Sequence, residues 1–157
     1  MQGIQFKPGY VQHLPQNSSI ESLIHQLAQP LIADGQVVED FAEHVLARED
    51  NYPTGLPTEP VGVAIPHTDH RHVRQNAIGV GILPQTVNFA DMGGEAEPVP
   101  VRIVFLLALS ESNKQLNVLG WIMELIQDGK FLQSLLNMSA QEIYQEISHK
   151  LSERGEV

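Results

Sequence analysis

The chain has 157 residues and a mass of 17.4 kDa, with 42% hydrophobic and 18% charged residues, which suits one folded domain with a real core and not a disordered or fibrous protein. Nine Lys and Arg against nineteen Asp and Glu leave a net charge of −10, and such a surface repels nucleic-acid backbones and anionic bilayers. The absence of cysteine removes disulfides, thiolate metal sites and cysteine nucleophiles together. The N-terminal residues lack the apolar core of a signal peptide, and the longest apolar run, 103–109, is far too short to cross a bilayer. A cytoplasmic protein is expected.

In chain order, residues 4–6 and 10–14 read as short strands separated by a turn at Pro8-Gly9. Ser18-Ser19-Ile20-Glu21 has the spacing of a capping box and opens a helix carrying Ile20, Leu23, Ile24 and Leu27. Pro30 interrupts that pattern and Asp34-Gly35 closes the region. A second helix is predicted over 37–48, with Val38, Phe41, Ala42 and Val45 on one face, followed by a loop over 51–60. Three apolar, β-branched runs at 61–65, 77–83 and 101–109 read as strands buried on both faces. A turn at 89–94 joins the second and third. Residues 110–113 open a helix with a stripe of Leu116, Leu119, Met123 and Ile126, which Gly129 should end. Another helical turn or two spans 131–136, and Ser139-Ala140-Gln141-Glu142 is a second capping box that starts a last helix. The expected fold is α/β (α+β): one domain over 1–157, a mixed central β-sheet flanked by helices.

Reactive side chains are densest at Pro66-His67-Thr68-Asp69-His70-Arg71-His72, directly after the strand at 61–65. Sites in open α/β sheets gather where strands end and loops begin. Pro66 fixes φ and stiffens the backbone that presents His67. Imidazole serves there as a nucleophile or proton carrier near neutral pH, or as a metal ligand. A metal reading uses His67, Asp69, His70 and His72, but no second cluster completes the site. A polar surface loop with merely solvated histidines is the plainer alternative, and His13, His25, His44 and His149 read as structural or exposed. No nucleotide loop and no hydrolase elbow is present.

Residues Gly62-Val63-Ala64-Ile65-Pro66-His67 resemble the signature around the phosphorylated histidine of phosphotransferase-system (PTS) enzyme IIA domains of the mannitol/fructose type. Arg48-Glu49, Tyr52-Pro53-Thr54-Gly55, the strand at 99–108 and the helix at 115–128 fall in the matching order, so the resemblance spans roughly 18–151. Within that family Pro66-His67-Thr68-Asp69, Met92-Gly93 and Gln115-Leu116 are most similar to the galactitol branch. The resemblance implies a phosphocarrier without cofactor or resident metal. Phospho-HPr would donate a phosphoryl group to His67, as a tele-phosphohistidine, and enzyme IIB would accept it on a cysteine, coupling indirectly to uptake by the membrane IIC component. No nucleotide site is needed, because the donor is already a phosphoprotein, and in-line transfer asks mainly for positioning and charge stabilisation.

Arg48 stands where the family holds an arginine near the active histidine, and a guanidinium fork suits phosphate oxygens. Its plainer reading is a cation complementing the helix dipole. Thr54 and Thr68 are candidate hydroxyl donors to phosphate. Gln115 replaces the second histidine of the mannitol and fructose branches; its amide can donate but cannot titrate. Two rivals to sugar transport remain at this point: a regulatory phosphoprotein that senses phosphorylation state, and a metal-dependent hydrolase built on His67, Asp69 and His70.

Overall fold

The computed structural model describes residues 3–94, 97–110 and 112–154, with side chains throughout except at 112–116. Among these, β1 (Val11–His13), β2 (Gly55–Leu56), β3 (Gly62–Ala64), β4 (Ala77–Phe89) and β5 (Val99–Ala108) form one sheet in the order β1-β4-β5-β3-β2. β1 is parallel to β4 and β3 to β5, whereas the β4–β5 and β2–β3 pairs are antiparallel. The mixed sheet expected from the sequence is therefore present. Every residue at 77–83 and at 103–108 is buried, and because successive side chains face opposite ways, the sheet is covered on both faces. The covering elements include α1 (Ile20–Ala33), α2 (Phe41–Asn51), α3 (Ser112–Leu125), α4 (Gly129–Leu136) and α5 (Ala140–Arg154).

Several boundaries move, each for a local reason. The first strand is shorter than 10–14, because Pro8–Tyr10 forms a 3₁₀ turn, and of residues 4–6 only Gln5 bridges the sheet, at Ala77. The first capping box closes one residue later than predicted. Ser18 donates its hydroxyl to the Pro15 carbonyl at 2.7 Å, so Ser19 and Ser22 exchange the cap bonds at 3.1 and 2.9 Å. Pro30 does not break α1. Its missing N–H orphans the Gln26 carbonyl, and the Gln12 side chain supplies a donor to that oxygen at 3.0 Å.

The second helix starts at Phe41 instead of 37, because Val37 bridges Val73 and the Val38 N–H donates to the His72 carbonyl at 3.1 Å. It also runs past Arg48 to Asn51. β2 lies inside the predicted 51–60 loop, and β4 continues to Phe89 through the exposed residues 84–86 by pairing with the start of β5. Gly129 opens α4 and does not end the preceding helix, since Asp128 caps it by accepting from the Lys130 and Phe131 N–H groups at 3.1 Å each. The second capping box forms as predicted between Ser139 and Glu142, at 2.9 and 3.1 Å.

β3 is short, yet its place in the sheet is closely fixed. A Cβ on Gly62 would run into the Pro100 carbonyl and approach Val99 Cγ1 to 2.9 Å. Glycine here is the condition for β3 and β5 to lie side by side. Gly62→Ala should lower stability by about 1–3 kcal/mol, seen as a lower urea midpoint in far-ultraviolet circular dichroism; an unchanged midpoint would show that the strands separate freely.

Candidate functional site

The chain leaving β3 is held by its own carbonyls. The Pro66 carbonyl accepts the Leu107 N–H of β5 at 3.0 Å, which prolongs the β3–β5 pairing past the last residue of the strand. One residue earlier, the Ile65 carbonyl lies 2.9 Å from His67 Nδ1. A carbonyl only accepts, so Nδ1 carries the proton and Nε2 carries the lone pair. The imidazole is half-buried. Burial is the main cause that lowers its pKa; the Ile65 hydrogen bond pulls it partly back up, and the nearby Arg48 charge lowers it by a smaller amount. The ring is thus neutral at pH 7 with a defined tautomer, which is the form a nucleophilic imidazole requires.

His67 opens into a cleft of about 470 Å³. Arg48 and Asn51 from the end of α2, and Tyr52, Pro53 and Thr54 from the loop beyond, form one wall. Ile65 lies beside the histidine, Met92 comes from the turn after β4, and Leu119 and Met123 come from α3. The cleft is therefore apolar, with the exposed Arg48 guanidinium at its edge. That guanidinium stacks over the Tyr52 ring, 4.8 Å from its centroid. Tyr52 is 63% and Met92 39% exposed, and these are the large exposed apolar side chains among the described residues.

Of the sequence-predicted site residues, His67, Arg48 and Thr54 meet in this cleft. Thr54 is buried, and its hydroxyl donates to Glu49 Oε1 at 2.8 Å while its N–H donates to Glu49 Oε2 at 2.8 Å. Thr68 is buried next in sequence to His67 and does not line the cleft. The Gln115 side chain lies outside the described residues; its position on α3 is one helical turn before Leu119.

The structure does not gather His67, Asp69, His70 and His72 into a ligand set. Asp69 accepts from the Arg71 N–H at 3.0 Å and from Arg71 Nε at 3.2 Å, while His72 stacks on His44 with ring centroids 3.6 Å apart. No group of three or more potential metal ligands converges among the described residues.

Sequence reasoning did not assign a part to Glu49, Asn51 or Met92, and its stripe on α3 left out Val118 and Ile122. Val118 and Ile122 enter the core, whereas Leu119 and Met123 are half-buried on the cleft. Leu119 and Met123 are four apart, which did mark a common face; periodicity alone does not say whether that face meets core or cleft.

Residues 5–150 match the phosphoenolpyruvate-dependent sugar phosphotransferase system EIIA 2 family. The chain belongs to that family. The galactitol-specific EIIA component of Escherichia coli K12 is 26% identical over 118 residues, which is 75% of this chain and 77% of that protein. The transcriptional regulator ManR of Bacillus subtilis 168 is 33% identical over 92 residues, 59% of this chain but 13% of the regulator. Among solved structures, enzyme IIA of the mannitol system from E. coli, in complex with phosphorylated enzyme IIB, has the same fold. The TM-score is 0.73 at 19% identity, covering 93% of this chain and 99% of that one. As an EIIA domain the chain is a phosphotransfer component of a sugar PTS. No helix among the described residues is long and apolar enough to cross a membrane.

The lowered His67 pKa has a consequence for stability. Its ordinary value is 6.5, so below that pH the unfolded chain binds a proton that the folded chain refuses. The neutral ring's contribution is complete above pH 6.5 and is lost as pH falls through the folded-state value. Urea midpoints measured from pH 7.5 down to 5 should fall more steeply for the wild type than for His67→Gln. Parallel curves would show that burial does not hold the imidazole neutral.

Proposed function

We propose that this EIIA domain accepts a phosphoryl group on His67 Nε2 from phospho-HPr and passes it to the active cysteine of an enzyme IIB in the cytoplasm, serving a galactitol-like sugar system through the membrane IIC component. The observation that carries this reading is the Nδ1–H bond to the Ile65 carbonyl, 2.9 Å, since it leaves Nε2 as the nucleophile and supports the tele-phosphohistidine. In the first step the Nε2 lone pair forms a bond to phosphorus while the donor's P–N bond breaks and its electron pair returns to the donor imidazole. In the second, a cysteine thiolate attacks phosphorus and His67 leaves as a neutral imidazole, with Nδ1 still protonated. Neither step needs a cofactor, and a preset tautomer avoids moving a proton at the moment of transfer.

The similarity to relatives named for galactitol supports the substrate class proposed, and the likeness to the mannitol enzyme IIA solved with enzyme IIB supports the kind of acceptor. Arg48 at the cleft edge faces the transferred group and offsets its charge. Thr68, adjacent to His67, and Gln115, one turn before the cleft residue Leu119, are the further candidates for phosphate contact. Tyr52 and Met92 present apolar surface to both partners in turn, as a small, quickly exchanging interface requires. A regulatory use of the same chemistry has the ManR similarity in its favour; transfer to the cognate IIB separates the two.

Incubation with phosphoenolpyruvate, enzyme I and HPr should add one acid-labile, base-stable phosphoryl group, and His67→Ala should abolish labelling. Full labelling of that variant would refute the assignment. Arg48→Ala should slow transfer from phospho-HPr about ten- to a hundredfold, the worth of one hydrogen bond to a charged group felt in the transition state. Gln115→Ala should fall in the same range and Gln115→His should be tolerated. A wild-type rate for Gln115→Ala would remove that residue from the site.

A further inference from the structure

We propose that Glu49 is the positioning residue of the phosphoryl site: its carboxylate clamps Thr54 and thereby fixes the cleft wall that carries Arg48 and Tyr52. This rests on His67 being the phosphoryl acceptor.

Glu49 sits in the last turn of α2, where a solvated side chain is the ordinary expectation, and yet it is only 8% exposed. Its carboxylate is met by two donors of one residue, the Thr54 N–H and hydroxyl, each at 2.8 Å on a separate oxygen. Removing a carboxylate from water is costly even with two hydrogen bonds, and burial indeed raises its pKa. An apolar residue would close the end of α2 more cheaply, so the carboxylate's contribution lies in what it orders.

The clamp works at both ends. Behind it, the Arg48 carbonyl accepts the Tyr52 N–H at 2.7 Å, which closes the turn that stacks Tyr52 under the Arg48 guanidinium. Ahead of it, Gly55 donates its N–H to the Ala90 carbonyl at 3.0 Å and accepts the Met92 N–H at 2.8 Å. A Cβ on Gly55 would lie 2.6 Å from the Ala90 oxygen, so the two segments are in close contact. One carboxylate thus ties Arg48, Tyr52, Thr54 and Met92, all of them cleft residues, into one rigid wall. It also takes the Thr54 hydroxyl proton, so that Thr54 acts on the site through this wall and not as a donor to phosphate.

The test is the rate of transfer from phospho-HPr to His67 in Glu49→Gln, Thr54→Val, the double variant and Thr54→Ser, with urea midpoints measured on each. Glutamine keeps the volume but loses one of the two acceptors. Glu49→Gln and Thr54→Val should each slow transfer about tenfold, the double variant should be no slower than either single one, and Thr54→Ser, which retains the hydroxyl, should restore the wild-type rate. A wild-type rate in Glu49→Gln, or additive losses in the double variant, would overturn the clamp. If Glu49→Gln does not fold, Thr54→Val against Thr54→Ser decides: equal rates overturn the proposal. Labelling of His67→Ala, run beside these, overturns the site assignment instead and is thereby told apart from failure of the clamp.

Discussion

Two consecutive carbonyls at the end of β3 hold the site together. The Pro66 carbonyl bonds the Leu107 N–H and so makes the outgoing loop an extension of the sheet. The Ile65 carbonyl takes the His67 Nδ1 proton and so sets which ring nitrogen is free. The first bond forms only where β3 lies beside β5, and that close approach depends on the absence of a side chain at Gly62; the second is local, between residues two apart. Pro66 adds to this by fixing its own φ and by having no N–H that needs a partner in the loop. The His67 imidazole is therefore positioned by backbone at the end of a buried sheet, the least mobile kind of support a fold offers.

The parts of the fold that were legible in the sequence are those decided locally. The Ser139–Glu142 box, the apolar runs that became β3, β4 and β5, and the helical periodicity of Leu23, Ile24 and Leu27 need only their own neighbours. The parts misread are those decided by a distant partner. Pro30 is tolerated because Gln12, eighteen positions away in sequence, satisfies the carbonyl it orphans. Residues 37 and 38 are drawn from a helix into bridging by 72 and 73. Gly129 reads as a helix end until Asp128 is seen to cap the next helix.

The site divides the same way. The Pro66-His67 pair at a strand end marks His67 as a candidate, and the family pattern marks Arg48 and Thr54; all three line one cleft. What a pattern does not convey is the direction of a hydrogen bond. Thr54 was a plausible phosphate donor by type, and the structure commits its proton to Glu49. His44 looked solitary, and its ring stacks on His72 across the junction of α2 with the loop after His67. Such pairings arise only when elements from separate parts of the chain are brought together, which single-sequence periodicity does not encode.

A chain of net charge −10 must still receive an anionic phosphoryl group, and the cleft suggests how. Most of the acidic groups are surface charges, and those more than about 8 Å from the site are largely screened at physiological salt. Arg48 stands at the edge of an apolar cleft, where a lower local dielectric strengthens its attraction relative to distant, solvated charges. Glu49, the nearest acid in sequence, is turned inward onto Thr54 by two hydrogen bonds. The same burial that raises its pKa leaves its charge directed at protein donors instead of at the cleft. The acidic surface therefore governs solubility and long-range approach, while the transfer proposed for this cleft asks for one cation, one neutral imidazole and the wall that fixes the distance between them.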